Sequence, residues 1–384
     1  MTVRFPMVTI DYSNSGAARG ELVIPRGNLG LKCGDCNGFG AFYPNIYQTM
    51  PWFGALNGDD GLYLGAHDPN GAMKRIVTVG PSGKGPSYFE IYPEWSGKPR
   101  NSVDPDWYFE IAPLCAKRGW PALAHEYKEW VLGSTPWGAA PLLKDRSDIP
   151  KSIRDGAWWV NYSIPRLAGV EVLSDRSRNF KADFRGIPTV HHWYEWHEPG
   201  MDRGAPVHTP KHGTREAIRE VQADPLATVL LYSNVTHSDQ SAAPLSAGRP
   251  VHCEGGVSQY PSYWSQTNRR ADGTRVFLAP NSKACLASMD LSSHEWQAVA
   301  LKTADLVTDQ LGARGVYLDV VGNVQEGSWS VAGHHPGRGR WVTSASRNLV
   351  SSIAKRPQLT VVEGALEQMS GISDAGVNYF ATSE

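Results

Sequence analysis

The sequence predicts an α/β plus β protein, in which an N-terminal antiparallel β-sandwich is followed by a truncated TIM-type β/α barrel. Short segments rich in β-branched and aromatic residues, separated by Gly, Pro, Asn and Asp, fill residues 1 to about 115, as in antiparallel sandwiches. From about residue 150, strand-like segments alternate with helical ones, which favours a parallel sheet covered by helices. No Gly-rich phosphate loop follows the first of these strands, so a barrel is favoured over an open nucleotide-binding sheet.

Two domains are expected in a chain of 384 residues. Residues 1–135 form the predicted β-sandwich domain with a connecting helix, in which apolar residues recur at helical spacing from Leu123 to Val131. Residues 150–384 form the predicted β/α-barrel domain. Between them, TPWGAAPLL and the charged KDRSDIPKS are typical of a boundary.

The second half contains six candidate barrel strands, whereas a complete barrel needs eight. We therefore expect a sequence that is incomplete at its C-terminus, with strands that are parallel and adjacent in chain order. The helix before the fourth strand is well signalled, because Ser292 and Glu295 are spaced as a capping box and Gly312 ends the pattern. The predicted strands start near Gly156, Ile187, Ala227, Gly315, Leu359 and Val377.

Composition excludes several classes of function. The formal net charge of −1 gives no indication of nucleic-acid binding. No run of about 18 apolar residues predicts a membrane span, and the N-terminus, MTVRFPMVTIDYS, lacks the pattern of a signal peptide. Five cysteines, an odd number, do not make a disulfide framework. The pair Cys33 and Cys36 is interpreted as having no chemical function or weak redox activity. Nothing in the sequence indicates the compartment.

Aromatic content is more informative, with 14 Trp and 15 Tyr against 10 Phe. Trp and Tyr combine a flat apolar face with a polar edge, which suits sugar rings that have apolar faces and hydroxyl rims. The same excess also suits core and interface packing. The composition therefore makes a carbohydrate a candidate binding partner.

Polar and aromatic residues gather where the predicted barrel strands end, which is where barrel active sites lie. Each such residue also has a structural interpretation, but convergence from five strands indicates a site. They are Asn161 and Tyr162 after the first strand, the segment from His191 to Trp196 after the second, Tyr232 and Asn234 after the third, Asp319 after the fourth and Glu363 after the fifth.

Asp319 and Glu363 are the predicted catalytic pair. Two carboxylates on neighbouring strand ends suit glycosidic bond cleavage, in which one attacks the anomeric carbon while the other protonates the leaving oxygen and later activates water. Glu195 and Glu198 are rival acids, less favoured because they share one loop.

Strand alternation predicts which way the fourth strand points its side chains. Tyr317 should share the inner face with Asp319, while Val316, Leu318 and Val320 should face the helices.

Further residues are expected to contact the substrate, by stacking from Trp193, Tyr194 and Trp196 and by hydrogen bonds from His192 and Asn234. The long segment 238–285 is interpreted as an active-site loop. Its Tyr260, Tyr263 or Trp264 should face the cleft. The full predicted substrate-binding set is His192, Trp193, Tyr194, Trp196, Tyr232, Asn234, Tyr317 and His335.

Several of these segments carry a family resemblance. GLYLGAHDPNGAMKRI, HHWYEWHEPGMD, LLYSNVTHSD, GVYLDVVG with GHHPGRGRW, and LTVVEGALE occur in this order. The set resembles a bacterial family of glycoside-hydrolase-like proteins, known as a domain of unknown function, over roughly residues 45–384. The resemblance implies a β-sandwich joined to a β/α barrel. The family usually carries Gln where this chain has Val320. YLDV is also similar to the nucleophile strand of endo-α-N-acetylgalactosaminidases.

The predicted function is glycosidic bond hydrolysis, at an α-linked sugar and with retention, with Asp319 as nucleophile and Glu363 as acid/base. An oligosaccharide or glycoconjugate is the expected partner, and no cofactor is expected. Two alternatives stay open. One is a non-catalytic glycan-binding protein on the same scaffold, and the other is a metal-dependent hydrolase that uses His192, His197, Asp319 or the pair His334 and His335. That His pair is instead interpreted as part of a substrate-shaping loop.

Overall fold

The computed structural model describes a defined part of the chain, and every structural statement below concerns that part. The predicted contacts of Tyr260, Tyr263, Trp264, His334 and His335 lie outside it. The described residues are 3–8, 21–26, 31–33, 39–45, 47–78, 87–91, 107–115, 117, 119–162, 169–198, 209–239, 265–268, 275–278, 286–321, 340–357, 359–364 and 366–377.

The N-terminal half consists of two antiparallel sheets packed face to face, as predicted. One sheet has the strand order β1-β8-β7-β4 and the other β3-β2-β5-β6-β9. Apolar side chains from both sheets, including Ile24, Phe53, Leu64, Ile76 and Phe89, form the core between them. The strands are β1 Val3–Val8, β2 Glu21–Ile24, β3 Leu31–Cys33, β4 Phe39–Tyr43, β5 Trp52–Asn57, β6 Asp60–His67, β7 Lys74–Thr78, β8 Ser87–Ile91 and β9 Tyr108–Cys115.

Helix α1, Trp120–Ser134, covers the outer face of the five-stranded sheet. Leu123 and Tyr127 are its buried residues. The helix comes close because Gly54 has no side chain: a Cβ there would lie 2.6 Å from Leu123 Cδ1 and 2.9 Å from the main-chain oxygen of Leu62. The predicted connecting helix is thus a third layer of this half.

The second half is built on a parallel, curled half-barrel sheet of six strands in chain order. All five neighbouring pairs are parallel, which confirms the predicted order and direction; a closed eight-stranded barrel is not seen in the described residues. The six strands are β10 Trp158–Tyr162, β11 Thr189–Trp193, β14 Ala227–Ser233, β18 Gly315–Leu318, β19 Leu359–Glu363 and β20 Ala375–Val377. Short strands between them are β12 His197–Glu198, β13 Thr209–Pro210, β15 His237–Asp239, β16 Phe277–Leu278 and β17 Leu286–Ser288.

The longer helices pack on one face of this sheet and leave the other as the inner face, against which Ile153 of a short helix packs. Val316 and Leu318 lie in the helix-facing core, whereas Tyr317 lies in the inner cluster with Tyr232 and Val361. The alternation predicted for β18 is therefore confirmed up to Leu318. The helices are α2 Lys151–Arg154, α3 Val170–Asp183, α4 Thr214–Val221, α5 His294–Asp305, which continues as a π-helical turn Leu306–Gln310, and α6 Arg340–Ile353.

Two details differ from the predictions. The N-cap of α5 is Ser293, whose Oγ accepts a hydrogen bond from the main-chain N–H of Trp296, while Ser292 donates its hydroxyl to Asp290. The N-cap therefore lies one residue after the Ser292 of the predicted capping box, so that prediction is wrong. Val320 does not continue β18, because its φ of 58° turns the chain into the left-handed region.

The two halves are in direct contact. Thr343 of α6 donates a 2.6 Å hydrogen bond to the main-chain oxygen of Gly71, and Met73 packs against Ala345. In the part of the chain described here, no helix is long and apolar enough to cross a membrane.

Candidate active site

Three polar residues lie side by side where adjacent parallel strands end. Leu318 pairs with Ser233 on one side and with Val362 on the other. The next residue along each chain therefore falls in one row at the carboxyl edge of the sheet, where barrel active sites lie. These residues are Asn234, Asp319 and Glu363.

The Asp319 carboxylate is held by two fixed donors. Its Oδ2 accepts a hydrogen bond from the Tyr232 hydroxyl at 2.7 Å and from Asn234 Nδ2 at 3.0 Å. Its own main-chain N–H donates to the oxygen of Ser233 at 3.0 Å. Hydrogen bonds to an ionised carboxylate are stronger than those between neutral groups, so the two donors fix the orientation of Asp319.

Asn234 owes its orientation to the loop that follows β14. Its Oδ1 accepts from the main-chain N–H groups of Thr236 at 3.2 Å and His237 at 3.0 Å. The amide nitrogen is therefore left to face Asp319. Thr236 also donates its hydroxyl to the Asp319 main-chain oxygen at 3.3 Å, which ties this loop to the end of β18.

Glu363 is oriented by the main chain of the neighbouring strand end. Its Oε2 accepts a 2.9 Å hydrogen bond from the N–H of Val320. That N–H points at Glu363 from a residue with φ 58°, a conformation that is a genuine outlier for a β-branched side chain. The turn directly after Asp319 is thus both strained and engaged with the second carboxylate.

The carboxyl groups of Asp319 and Glu363 follow one another on adjacent strand ends and interact electrostatically. The pKa of Asp319 is raised, first by burial and then by the hydrogen bond with Glu363 and by its negative charge, while the Tyr232 hydroxyl acts in the opposite direction. Two neighbouring carboxyl groups ionise together less readily than isolated ones do.

Tyrosine rings form the floor beneath this row. Tyr194 and Tyr232 lie 5.3 Å apart, and Tyr232 and Tyr317 are stacked at 5.9 Å between ring centroids. All three are buried, and Tyr194 retains 8% exposure. Tyr232 contacts the catalytic candidate directly, whereas Tyr317 is fully enclosed.

His192 lies within this floor and is only 1% exposed. Its ring is 4.2 Å from those of Tyr194 and Tyr317, and its Nδ1 is 3.2 Å from Asn161 Oδ1. Burial lowers the pKa of His192 to about 3, so the imidazole is neutral. Within the described residues its Nε2 has no hydrogen-bond partner.

Trp193 and Trp196 are placed differently from the prediction. Both are fully buried in the helix-facing core. Trp193 Nε1 donates to Ser177 Oγ at 3.0 Å, and Trp196 Nε1 donates to the main-chain oxygen of Tyr232 at 2.8 Å. Neither ring offers a face to a sugar, so the predicted stacking role is wrong for both.

The rival acid Glu198 lies on a separate two-stranded sheet, where it is exposed and pairs with Thr209. Glu195 is buried, with 4% exposure. Among the described residues, no group of three or more His, Cys, Asp or Glu side chains is placed to hold a metal ion. The site thus consists of the strand-end row and Tyr232.

Glu367 has a role that the sequence does not suggest. Its Oε1 accepts hydrogen bonds from the hydroxyls of Tyr43 and Tyr127, which are 324 and 240 residues away in the sequence. Glu367 is the second glutamate of the motif EGALE, which begins at Glu363. No local sequence pattern predicts hydrogen-bond partners that are so far away in the chain.

A protein family and a curated relative match the chain. The family described as Domain of unknown function (DUF6259) matches residues 106–368. The curated relative is the "Putative glycoside hydrolase 22789" of Monosiga brevicollis, 24% identical over 311 residues, a match that covers 72% of this chain and 25% of that protein.

Solved structures share the fold across almost the whole chain. The alpha-N-acetylgalactosaminidase NagBb of Bifidobacterium bifidum, in its Gal-NHAc-DNJ complex, superimposes with a TM-score of 0.71 at 15% identity, covering 97% of this chain and 60% of NagBb. The alpha-galactosidase TtGalA of Thermus thermophilus, in complex with p-nitrophenyl α-D-galactopyranoside, has a TM-score of 0.57 at 12% identity, covering 94% of this chain and 65% of TtGalA. The chain thus spans a quarter of the curated relative and less than two thirds of each structure.

Proposed function

We propose that this chain, which belongs to the DUF6259 family, is the catalytic part of a glycoside hydrolase that cleaves an α-linked glycosidic bond with retention of configuration. The observation that carries the proposal is the facing pair Asp319 and Glu363 on adjacent strand ends. A curated relative described as a putative glycoside hydrolase supports the same class of reaction.

The hydrogen bonds support a division of roles between the two carboxyl groups. Asp319 receives two side-chain donors on one oxygen, which suits the ionised nucleophile. Glu363 receives one main-chain donor on Oε2 and thus fewer donors than Asp319, which suits the acid/base. Asp319 thus attacks, and Glu363 acts first as acid and then as base.

The proposed reaction has two steps. In the first, an Asp319 oxygen bonds to the anomeric carbon as the bond to the leaving oxygen breaks, and Glu363 gives its proton to that oxygen. In the second, Glu363 takes a proton from water while the water oxygen bonds to the anomeric carbon and releases Asp319. Two inversions at one carbon give overall retention.

The closeness of the pair favours retention over inversion. Retaining enzymes hold the two carboxyl groups about 5–5.5 Å apart, whereas inverting enzymes keep roughly 6.5–9.5 Å to accommodate a water molecule between carboxylate and sugar. The two carboxyl groups lie at the ends of directly paired strands, which supports the shorter separation.

The proposed substrate is an α-linked galactose or N-acetylgalactosamine at the end of an oligosaccharide or glycoconjugate. Structures that share the fold are named as an alpha-N-acetylgalactosaminidase and an alpha-galactosidase, which motivates the choice of sugar. We propose that Asn234, which donates to Asp319, and Tyr194, whose ring lies 5.3 Å from that of Tyr232, contribute to sugar binding.

The test is a screen of the full-length protein on paired p-nitrophenyl α- and β-glycosides of galactose and N-acetylgalactosamine. We expect turnover of an α-glycoside, with the α-anomer of the free sugar formed first in an NMR time course. Turnover should persist after EDTA treatment and in Glu198→Gln. A β-anomer formed first would contradict retention, loss of activity in EDTA would favour the metal-dependent alternative, and glycan binding without turnover would favour the binding protein.

A further inference from the structure

Glu367 ties the turn after Glu363 to the N-terminal half of the protein. Its Oε1 accepts hydrogen bonds from the hydroxyls of Tyr43, 2.9 Å away, and Tyr127, 2.8 Å away. Tyr43 ends β4 and Tyr127 lies in α1, and both side chains are buried. We call these three side chains the tyrosine clamp. One carboxylate oxygen thus joins a sandwich strand, the connecting helix and the turn beyond β19.

The path from the clamp to Glu363 is short and fixed. The chain reverses at Gly364, whose φ of 78° is a conformation that glycine adopts without steric cost. The N–H of Leu366 donates to the Gly364 oxygen at 2.8 Å, and Glu367 then opens a 3₁₀ turn. Because three residues separate the two glutamates, displacement of the Glu367 carboxyl moves the main chain that carries Glu363.

The connection from β19 to β20 contains no α-helix among its described residues, only the 3₁₀ turn Glu367–Met369. By contrast, α3 follows β10, α4 follows β11 and α5 follows β14. The turn is held from one side by α6, whose Arg347 donates to the main-chain oxygen of Gln368. The tyrosine clamp holds it from the N-terminal half.

The charge state of Glu367 responds to conditions near neutrality. Burial raises the pKa of Glu367 to about 7, while the hydroxyls of Tyr127 and Tyr43 and the charge of Lys74 act in the opposite direction. Glu367 also lines a cavity of about 480 Å³. The titratable and polar groups around the clamp are Asp68 after β6, Tyr63 on β6, Lys74 on β7, Trp137 after α1 and Arg347 on α6.

We propose that Glu367 is a positioning residue, and that the tyrosine clamp sets the alignment of Glu363 with Asp319. The inference rests on the proposed function, because alignment matters for rate only if Glu363 transfers a proton. Ionised Glu367 draws both hydroxyls to one oxygen with charge-assisted hydrogen bonds. Protonation weakens these two bonds, although it relieves the cost of burying the charge. The clamp thus couples the N-terminal half to the acid/base.

The experiment compares Tyr43→Phe/Tyr127→Phe and Glu367→Gln with wild type in the full-length protein. Tyr63→Phe is the matched control, since its buried hydroxyl lies nearby but pairs with His67 Nε2 at 2.8 Å. We expect kcat to fall about 10- to 100-fold in both clamp variants, as for a small misplacement of a catalytic group, with KM within about twofold. In wild type kcat should fall as pH drops through about 7, and Glu367→Gln should lose that inflection.

A purely structural clamp gives a different result. If the clamp variants unfold more easily while kcat of the folded protein and its pH profile match wild type, the inference is overturned. If the double variant does not fold, Tyr127→Phe alone is measured by the same criteria.

Hydrogen exchange separates this inference from the proposed function. If wild type turns over no glycoside, the proposed function fails, and exchange at the amides of 359–364 decides the positioning role. Faster exchange in the Tyr43→Phe/Tyr127→Phe variant but not in Tyr63→Phe supports it. Equal exchange overturns it.

Discussion

The main-chain N–H of Val320 donates a 2.9 Å hydrogen bond to Oε2 of Glu363. Val320 directly follows Asp319, so the turn that ends one strand fixes the carboxyl group at the end of the next. Val320 has a left-handed backbone, with φ 58°, and backbone outliers of this kind cluster at functional sites because surrounding structure must hold them. The two carboxylates are therefore positioned as one unit.

Val320→Gly should stabilise the protein while retaining activity. Glycine adopts φ 58° without the clash that a Cβ makes, and its N–H still reaches Glu363. We expect a gain of about 1 kcal/mol in the free energy of unfolding, measured by urea titration. Val320→Ala is the matched control, since it removes the branched side chain but keeps the Cβ, and should gain less. Equal gains in both variants would show that the backbone is not strained.

Tyr232→Phe should reduce turnover and shift its pH dependence. The hydroxyl donates to Asp319 Oδ2 at 2.7 Å and lowers the pKa of that carboxyl, so its loss raises the pKa further. The acid limb of the kcat/KM profile should move to higher pH, and the rate should fall roughly 10- to 100-fold, as for a lost hydrogen bond to a charged group.

The control for this variant is Tyr162→Phe, whose hydroxyl donates to the main-chain oxygen of Arg176 on the helix side of the sheet. Tyr162→Phe should keep the wild-type dependence of kcat/KM on pH. If the acid limb of that dependence does not move in Tyr232→Phe, the Tyr232 hydroxyl does not lower the pKa of Asp319.

Trp193→Phe should lower stability and leave KM unchanged. The indole is fully buried and donates to Ser177, so the change removes a hydrogen bond and leaves a cavity, at a cost of about 2 kcal/mol. Trp158→Phe, at a side chain that is 53% exposed, should cost much less. A raised KM in Trp193→Phe would restore the stacking role predicted from the sequence.

Glu367 should make wild-type stability fall as pH rises. Its pKa is raised by burial from 4.5 to about 7, so the folded state binds this proton more tightly than the unfolded chain does. The stabilisation is complete below about pH 4.5 and is lost as pH rises through about 7. Between pH 5 and 8, wild type should lose on the order of 2–3 kcal/mol relative to Glu367→Gln, which cannot ionise. Parallel stability curves for the two proteins would contradict the raised pKa.

The sheet of the second half was predictable because buried parallel strands have a strong sequence pattern. All seven residues of β14 are buried, and such strands appear as nearly continuous apolar runs. The alternation of β18 likewise identified Tyr317 as inward-facing. Helix α3 has no comparable sequence signal, because VEVLSDRSRNFKAD is polar over most of its length.

Other features depend on contacts that local patterns do not encode. The aromatic cluster after β11 predicts stacking faces, yet the chain turns so that Trp193 and Trp196 enter the helix-facing core. The left-handed turn at Val320 is unexpected for a β-branched residue. The partners of Glu367 are brought together only by packing of the two halves.

The most direct measurement of the central claim is mass spectrometry of a trapped glycosyl-enzyme. The full-length protein would be incubated with a 5-fluoro-α-glycosyl fluoride of the sugar it cleaves, then digested and mapped, alongside Asp319→Asn. The account predicts one added sugar on the Asp319 side chain of the wild-type protein, an unlabelled Asp319→Asn variant, and a loss of roughly 10⁴-fold or more in kcat for that variant. A label on Glu363, Glu195 or any residue other than Asp319, or full activity in Asp319→Asn, would contradict it.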